Sequence, residues 1–250
     1  MAFLTQKILS INNALNAEEL IKSFVQQLSA DNQVLALNIH RHFERIPYLF
    51  PNAKFVHLLR DPRDVAKSCM GMGWAGNVYF GVDLWMATEQ SWDLLTTKIK
   101  SEQVITLRYE DIVTQPEAEL ARLCEFIGVS YAPSMLEYDN ASTYDKPDSS
   151  LAWQWRKKLT AKEVALVEAK AHKLISTRHY EVINSTPYQP NAFEKLALLV
   201  QNKWFKLKHG LQRYGFVLFF GEKLTKLLGL TTLHKQYIQD KNAIDIKHLK

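Results

Sequence analysis

Arg60 directly follows a near-continuous apolar run, Lys54 to Leu59, and is itself followed by Asp61-Pro62-Arg63-Asp64. The run reads as a strand. Pro62 suits the first position of a helix, Asp61 its N-cap and Asp64 its first turn. A strand that ends at an arginine and turns into a Pro-started helix can hold an anion. The backbone N–H groups and the positive end of the helix dipole point past the strand's carboxyl end. The guanidinium can grip a phosphate through two parallel bonds. Ser68, eight residues beyond Arg60, could return to the same anion. A plainer reading stays open, in which Arg60 and Asp64 form a local ion pair and Ser68 faces solvent.

Just beyond that helix, Gly71-Met72-Gly73-Trp74-Ala75-Gly76 spells G-x-G-x-x-G. A dinucleotide fingerprint needs a strand immediately before it, whereas here a helix precedes it. The segment reads instead as a glycine-hinged loop carrying Trp74, Asn77 and Tyr79. Aromatic faces and an amide there suit a sugar acceptor, and equally suit a packed loop.

Several elements must position these residues. Helical spacing marks 14–29, with Asn16 as cap, then 81–99, 116–127 closed by Gly128, and 160–175 after the capping box Thr160 to Glu163. Val34 to Ile39 and Val104 to Tyr109 are further strand candidates. Trp85, Glu89 and Trp92 recur at helical spacing, a pattern expected of core packing. Strands alternating with helices imply a parallel α/β sheet flanked by helices. Ser185 to Pro190 reads as a linker, dividing the chain into an α/β domain, 1–184, and a helical extension, 185–250.

Composition narrows the classes. Of 250 residues, 47% are apolar and 23% charged, which suits a globular chain with a real core. No apolar run reaches the ~18 residues a membrane span needs. Cys69 and Cys124 are too few for a disulfide framework or a cysteine-built metal site, so a reducing cytoplasm is the default. Residues 194–250 hold eleven basic and four acidic residues, a net +7, which leaves −2 for residues 1–193. In this basic extension Leu196, Leu199, Val200, Trp204 and Leu207 recur at helical spacing between lysines. Residues 193–230 could lie on an anionic membrane surface, or dock on the chain's own domain. No recognised module makes the charge a nucleic-acid site.

The segment 49–68, with its Arg60-Asp61-Pro62-Arg63-Asp64-Val65-Ala66-Lys67-Ser68 core, strongly resembles the 3′-phosphate-binding segment of sulfotransferases that use 3′-phosphoadenosine 5′-phosphosulfate (PAPS). The resemblance continues through Leu107-Arg108-Tyr109-Glu110-Asp111 to Val129. Trp155-Arg156-Lys157-Lys158-Leu159 looks like the Trp-Arg segment before the last helix of bacterial members. It implies that Arg60 and Ser68 hold the 3′-phosphate, that Tyr109 meets the adenine, and that Arg156 belongs to the cofactor site. It places an acceptor near Trp74, Asn77 and Tyr79.

The resemblance implies a P-loop-kinase-like sulfotransferase fold and sulfonyl transfer from PAPS to a hydroxyl or amine, with a carbohydrate or glycolipid among the possible acceptors and no metal. Two departures stand out. The family's 5′-phosphosulfate loop needs glycine, yet the first glycine is Gly71. The expectation is therefore an N-terminally incomplete or degenerate member with an exposed sheet edge that invites dimerisation. Asn38 stands where the family's catalytic Lys would be, while His40 matches its catalytic His and could take the acceptor's proton. His40, Arg41 and His42 could equally be a basic strand end bonded to backbone carbonyls. The rival readings are an inactive nucleotide-binding remnant and a membrane-surface scaffold.

Overall fold

A computed structural model describes residues 9–29, 34–137 and 145–248. They cluster into two units, Met1–Leu59 with Ala87–Pro147, and Arg60–Met86 with Asp148–Lys250. The division falls between β1 (Phe55–Leu59) and α3 (Pro62–Gly71), and again within α4 (Val78–Thr96).

The first unit holds a two-stranded parallel sheet. β1 pairs with β2 (Val104–Arg108), in register from Phe55 opposite Val104 to Leu59 opposite Arg108. A parallel pair needs a long crossover, and the residues between β1 and β2, α4 among them, supply it. On the buried face His57 stacks on Trp92 at 4.1 Å between ring centroids. Its Nε2 lies 3.2 Å from Glu89 Oε1 and its Nδ1 3.4 Å from Thr106 Oγ1. On the other face Val56 and Leu58 are exposed.

α1 (Ala17–Leu28) is closed at its start by the reciprocal pair of Asn16 and Glu19. α2 (Ile46–Leu49) precedes β1, and α5 (Tyr109–Thr114) and α6 (Pro116–Ile127) follow β2. The strand expected over 34–39 does not form. Val34, Leu37 and Ile39 are exposed in irregular backbone. A strand exists only where a ladder partner takes its N–H and C=O groups, and no described residue pairs with this segment.

The second unit is helical. α3 packs on α7 (Trp155–Lys158) and α8 (Ala161–Thr177), the latter opened by the Thr160–Glu163 capping box. α9 (Ala192–Leu227), broken at Gly215, returns as α10 (Thr231–His248) to make a hairpin. The hairpin is closed by polar bonds. Arg213 Nε donates to Asp245 at 2.7 Å, the Tyr214 hydroxyl donates to the same carboxylate, and Lys241 reaches Glu222 at 3.3 Å.

Candidate functional site

Arg60 is half-buried directly after β1, and its carbonyl accepts a 3.0 Å bond from Trp85 Nε1. Helix α3 then starts as the residue types require. Asp61 Oδ1 accepts from the Arg63 backbone N–H at 2.9 Å, and Val65 N–H reaches Asp61 O. The first turn is thus capped by its own chain.

The Arg63 side chain is 1% exposed, and no local pattern foretold its role. Its Nε and Nη2 donate to both oxygens of Asp61 at 2.9 and 2.7 Å, and its Nη1 donates to Glu168 of α8 at 3.1 Å. The guanidinium lies 3.7 Å from the centre of the Trp155 ring. Glu168 accepts further bonds from Ile183 N, Asn184 N and Asn184 Nδ2. Asp64 Oδ1 accepts a 2.7 Å bond from the Trp155 backbone N–H. The start of α3 is therefore clamped to α7 and α8 by buried charge. Sequence reasoning missed Arg63 and Glu168. Their partnership spans 105 residues, and the only early sign was a second arginine in Arg60-Asp61-Pro62-Arg63.

Ser68 is exposed two turns along α3. Arg156 sits on α7, bonded to Glu181 at 2.7 Å and 5.1 Å from the Trp155 ring, with both ion-pair partners largely in solvent. The second unit thus holds Arg60, Ser68 and Arg156, with the start of α7 fastened to the first turn of α3. The Arg156–Glu181 pair is exposed and of little energetic weight, so a phosphate can compete for the guanidinium. In the first unit, Tyr109 opens α5 at the carboxyl end of β2 and is half-buried. His40 is exposed in the irregular segment before α2. Among the described residues no group of three or more His, Cys, Asp or Glu is gathered as a metal site.

The glycine loop has a different task from nucleotide binding. At Gly73 (φ +78°) an added Cβ would stand 2.1 Å from the His209 ring. At Gly76 it would stand 2.7 Å from Phe205 Cβ and 2.8 Å from Asn202 Cα. These glycines let α9 approach the loop. The Gly76 N–H donates to Asn202 Oδ1 at 2.8 Å, and Asn77 Nδ2 donates to Leu198 O at 2.8 Å. Asn77 Oδ1 accepts from Phe80 N at the start of α4. Asn77 is thus buried and committed at both ends of its amide. The Tyr79 ring lies 4.0 Å beneath Lys170 Nζ, and its hydroxyl pKa is raised by burial and then by Asp83. Trp74 is exposed.

The architecture is that of sulfotransferase domains. The chain is similar to the sulfotransferase domain from the curacin biosynthetic pathway, with TM-score 0.55 and 20% identity over 66% of this chain and 68% of that one. It is also similar to the sulfotransferase domain from the Synechococcus PCC 7002 olefin synthase, with TM-score 0.52 and 18% identity over 66% and 64%. It spans about two thirds of the length of either domain. The family model described as "Sulfotransferase family" matches residues 11–133. The matched range contains His40, Arg60, Ser68 and Tyr109 and ends before Arg156. A search of the curated proteins found no match.

Proposed function

We propose that the chain binds PAPS through its 3′-phosphate and transfers the sulfonyl group to a hydroxyl or amine acceptor. The observation that carries this is Arg60, emerging from β1 onto a helix whose first turn is clamped by Arg63, Asp61 and Glu168. A helix start so held keeps the Arg60 backbone in place, and a phosphate that meets it finds that part of the contact already ordered. On this reading Ser68 adds a hydroxyl donor, and Arg156 joins when it leaves Glu181. The adenine contact of Tyr109 and the proton-accepting role of His40 rest on the family resemblance alone.

Sulfonyl transfer resembles phosphoryl transfer in that positioning and charge stabilisation dominate. The phosphate half of such a site fits the residues in hand. For the 5′ end, residues 1–70 contain no glycine with which to build a cradle. A second reading is a module that binds the nucleotide and transfers slowly or not at all.

Titration of adenosine 3′,5′-bisphosphate and 5′-AMP into wild type, Arg60→Ala and Ser68→Ala separates these ideas. Wild type should prefer the bisphosphate, and Arg60→Ala should forfeit about 1.5–3 kcal/mol of that preference. Equal affinity for both nucleotides in wild type removes both readings. Preference without transfer to any hydroxyl acceptor selects the second.

A further inference from the structure

We infer that the α9–α10 hairpin docks on an anionic lipid surface. Helix α9 uses one face to hold the glycine loop, through Leu198, Gln201, Asn202, Phe205 and His209. At 100° per residue, Phe193, Leu196, Val200 and Trp204 fall on the opposite face. All four are exposed, Phe193 by 85% and Trp204 by 67%. Beyond Gly215 the same inversion recurs. Glu222 and Thr225 turn toward α10, while Phe216, Leu224 and Leu227 face solvent, at 71%, 56% and 82% exposure. A water-soluble hairpin normally buries its apolar rows and exposes its polar ones. This one turns Asn202, Glu222 and Thr225 inward beside Phe205 and Phe219, and still shows two apolar rows outward.

Charge selects the occupant. Lys203, Lys206 and Lys208 lie exposed beside the first row, and Lys223 and Lys226 beside the second. Three of the four acidic residues in 194–250 are already neutralised, as Glu194–Lys162, Glu222–Lys241 and Asp245–Arg213. The uncompensated charge beside the apolar rows is therefore positive. A second copy across a two-fold axis would bring these lysine-flanked rows against themselves, with like charges facing. A surface of anionic headgroups over acyl chains matches both features, and exposed tryptophan suits that boundary. No described helix is long and apolar enough to cross a membrane, so the hairpin would lie on the surface. The inference stands apart from the proposed reaction.

Flotation with phosphatidylcholine vesicles, with and without phosphatidylglycerol, tests it on the full chain. Wild type should float with the anionic vesicles only, and salt should release it. Lys203→Gln, Lys206→Gln and Lys223→Gln should each lower partitioning about fivefold, and Trp204→Glu with Leu224→Glu should abolish it. All five positions are exposed, so thermal midpoints should stay near wild type. The inference is overturned if wild type ignores anionic vesicles or binds both kinds equally. It is also overturned if light scattering shows a stable dimer that Trp204→Glu dissociates.

Discussion

Replacing Arg63 with methionine removes the charge that clamps the start of α3. The side chain makes three charge-assisted bonds, at 2.9 and 2.7 Å to Asp61 and 3.1 Å to Glu168. Glu168 would keep three other donors, so the loss there is partial. Asp61 would keep the Arg63 backbone N–H but lose its bidentate partner while 1% exposed. Most of the penalty therefore falls on Asp61, as a buried carboxylate stripped of its counter-charge. Removing one member of a buried pair costs about 3–5 kcal/mol. For a chain of this size that is a fall in thermal midpoint of roughly 6–20 °C. Methionine keeps much of the aliphatic contact with Trp155, so the change reports charge more than volume. The control is the double variant Arg63→Met with Asp61→Asn, in which the Asp61 charge is gone and Glu168 keeps its three neutral donors. Denaturant unfolding of the single variants and the double should show coupling of about 0.5–3 kcal/mol. A loss below about 1 kcal/mol for Arg63→Met, or strict additivity in the cycle, would refute the clamp.

The other expectations concern how α9 is held. Gly76→Ala should cost about 1–3 kcal/mol, because the new methyl meets Asn202 Cα at 2.8 Å and Gln201 O at 3.0 Å, both backbone atoms. The cost should appear as faster proteolysis of α9 and α10, and unchanged cleavage would count against loop-to-helix packing. Glu194, bonded to Lys162, Tyr188 and the Asn191 backbone N–H, has its pKa lowered from 4.5 to about 2. Because the folded value lies below the unfolded one, its contribution is fully present above about pH 4.5 and is lost as pH falls toward 2. The difference in midpoint between wild type and Glu194→Gln should therefore shrink over that window, and a difference that grows on acidification would reverse the assignment.

Local chemistry was legible in the chain. Asn16 with Glu19, Thr160 with Glu163, and Asp61 before Pro62 start helices where their types suggest, because caps act within three residues. β1 and β2 were visible as apolar runs. Val34 to Ile39 looked similar and is not a strand, since strand formation depends on a partner that composition does not record. The family resemblance is what nominates Arg60 and Ser68 for a 3′-phosphate. The clamp behind them stayed hidden because Arg63 finds Glu168 only after α8 packs.

The glycine motif and α9 show why a pattern alone underdetermines a surface. Gly73 and Gly76 are spaced like a dinucleotide loop, yet the space their missing side chains leave is filled by His209, Phe205 and the backbone of Asn202. What fixes α9 on the loop is a pair of reciprocal asparagine contacts, Asn202 to Gly76 N–H and Asn77 to Leu198 O, separated in sequence by more than a hundred residues. Helical periodicity identifies Leu196, Val200 and Trp204 as one face, and the usual inference puts such a face inward. The directional bonds of two amides decide otherwise. A buried amide left unpaired costs about 1–3 kcal/mol, comparable to burying one large apolar side chain. Turning α9 over would strand Asn77 and Asn202 and drive its ring-bearing face into glycine pockets shaped for Phe205 and His209. The apolar row is thereby held outward, beside its lysines, and available to a surface outside the chain.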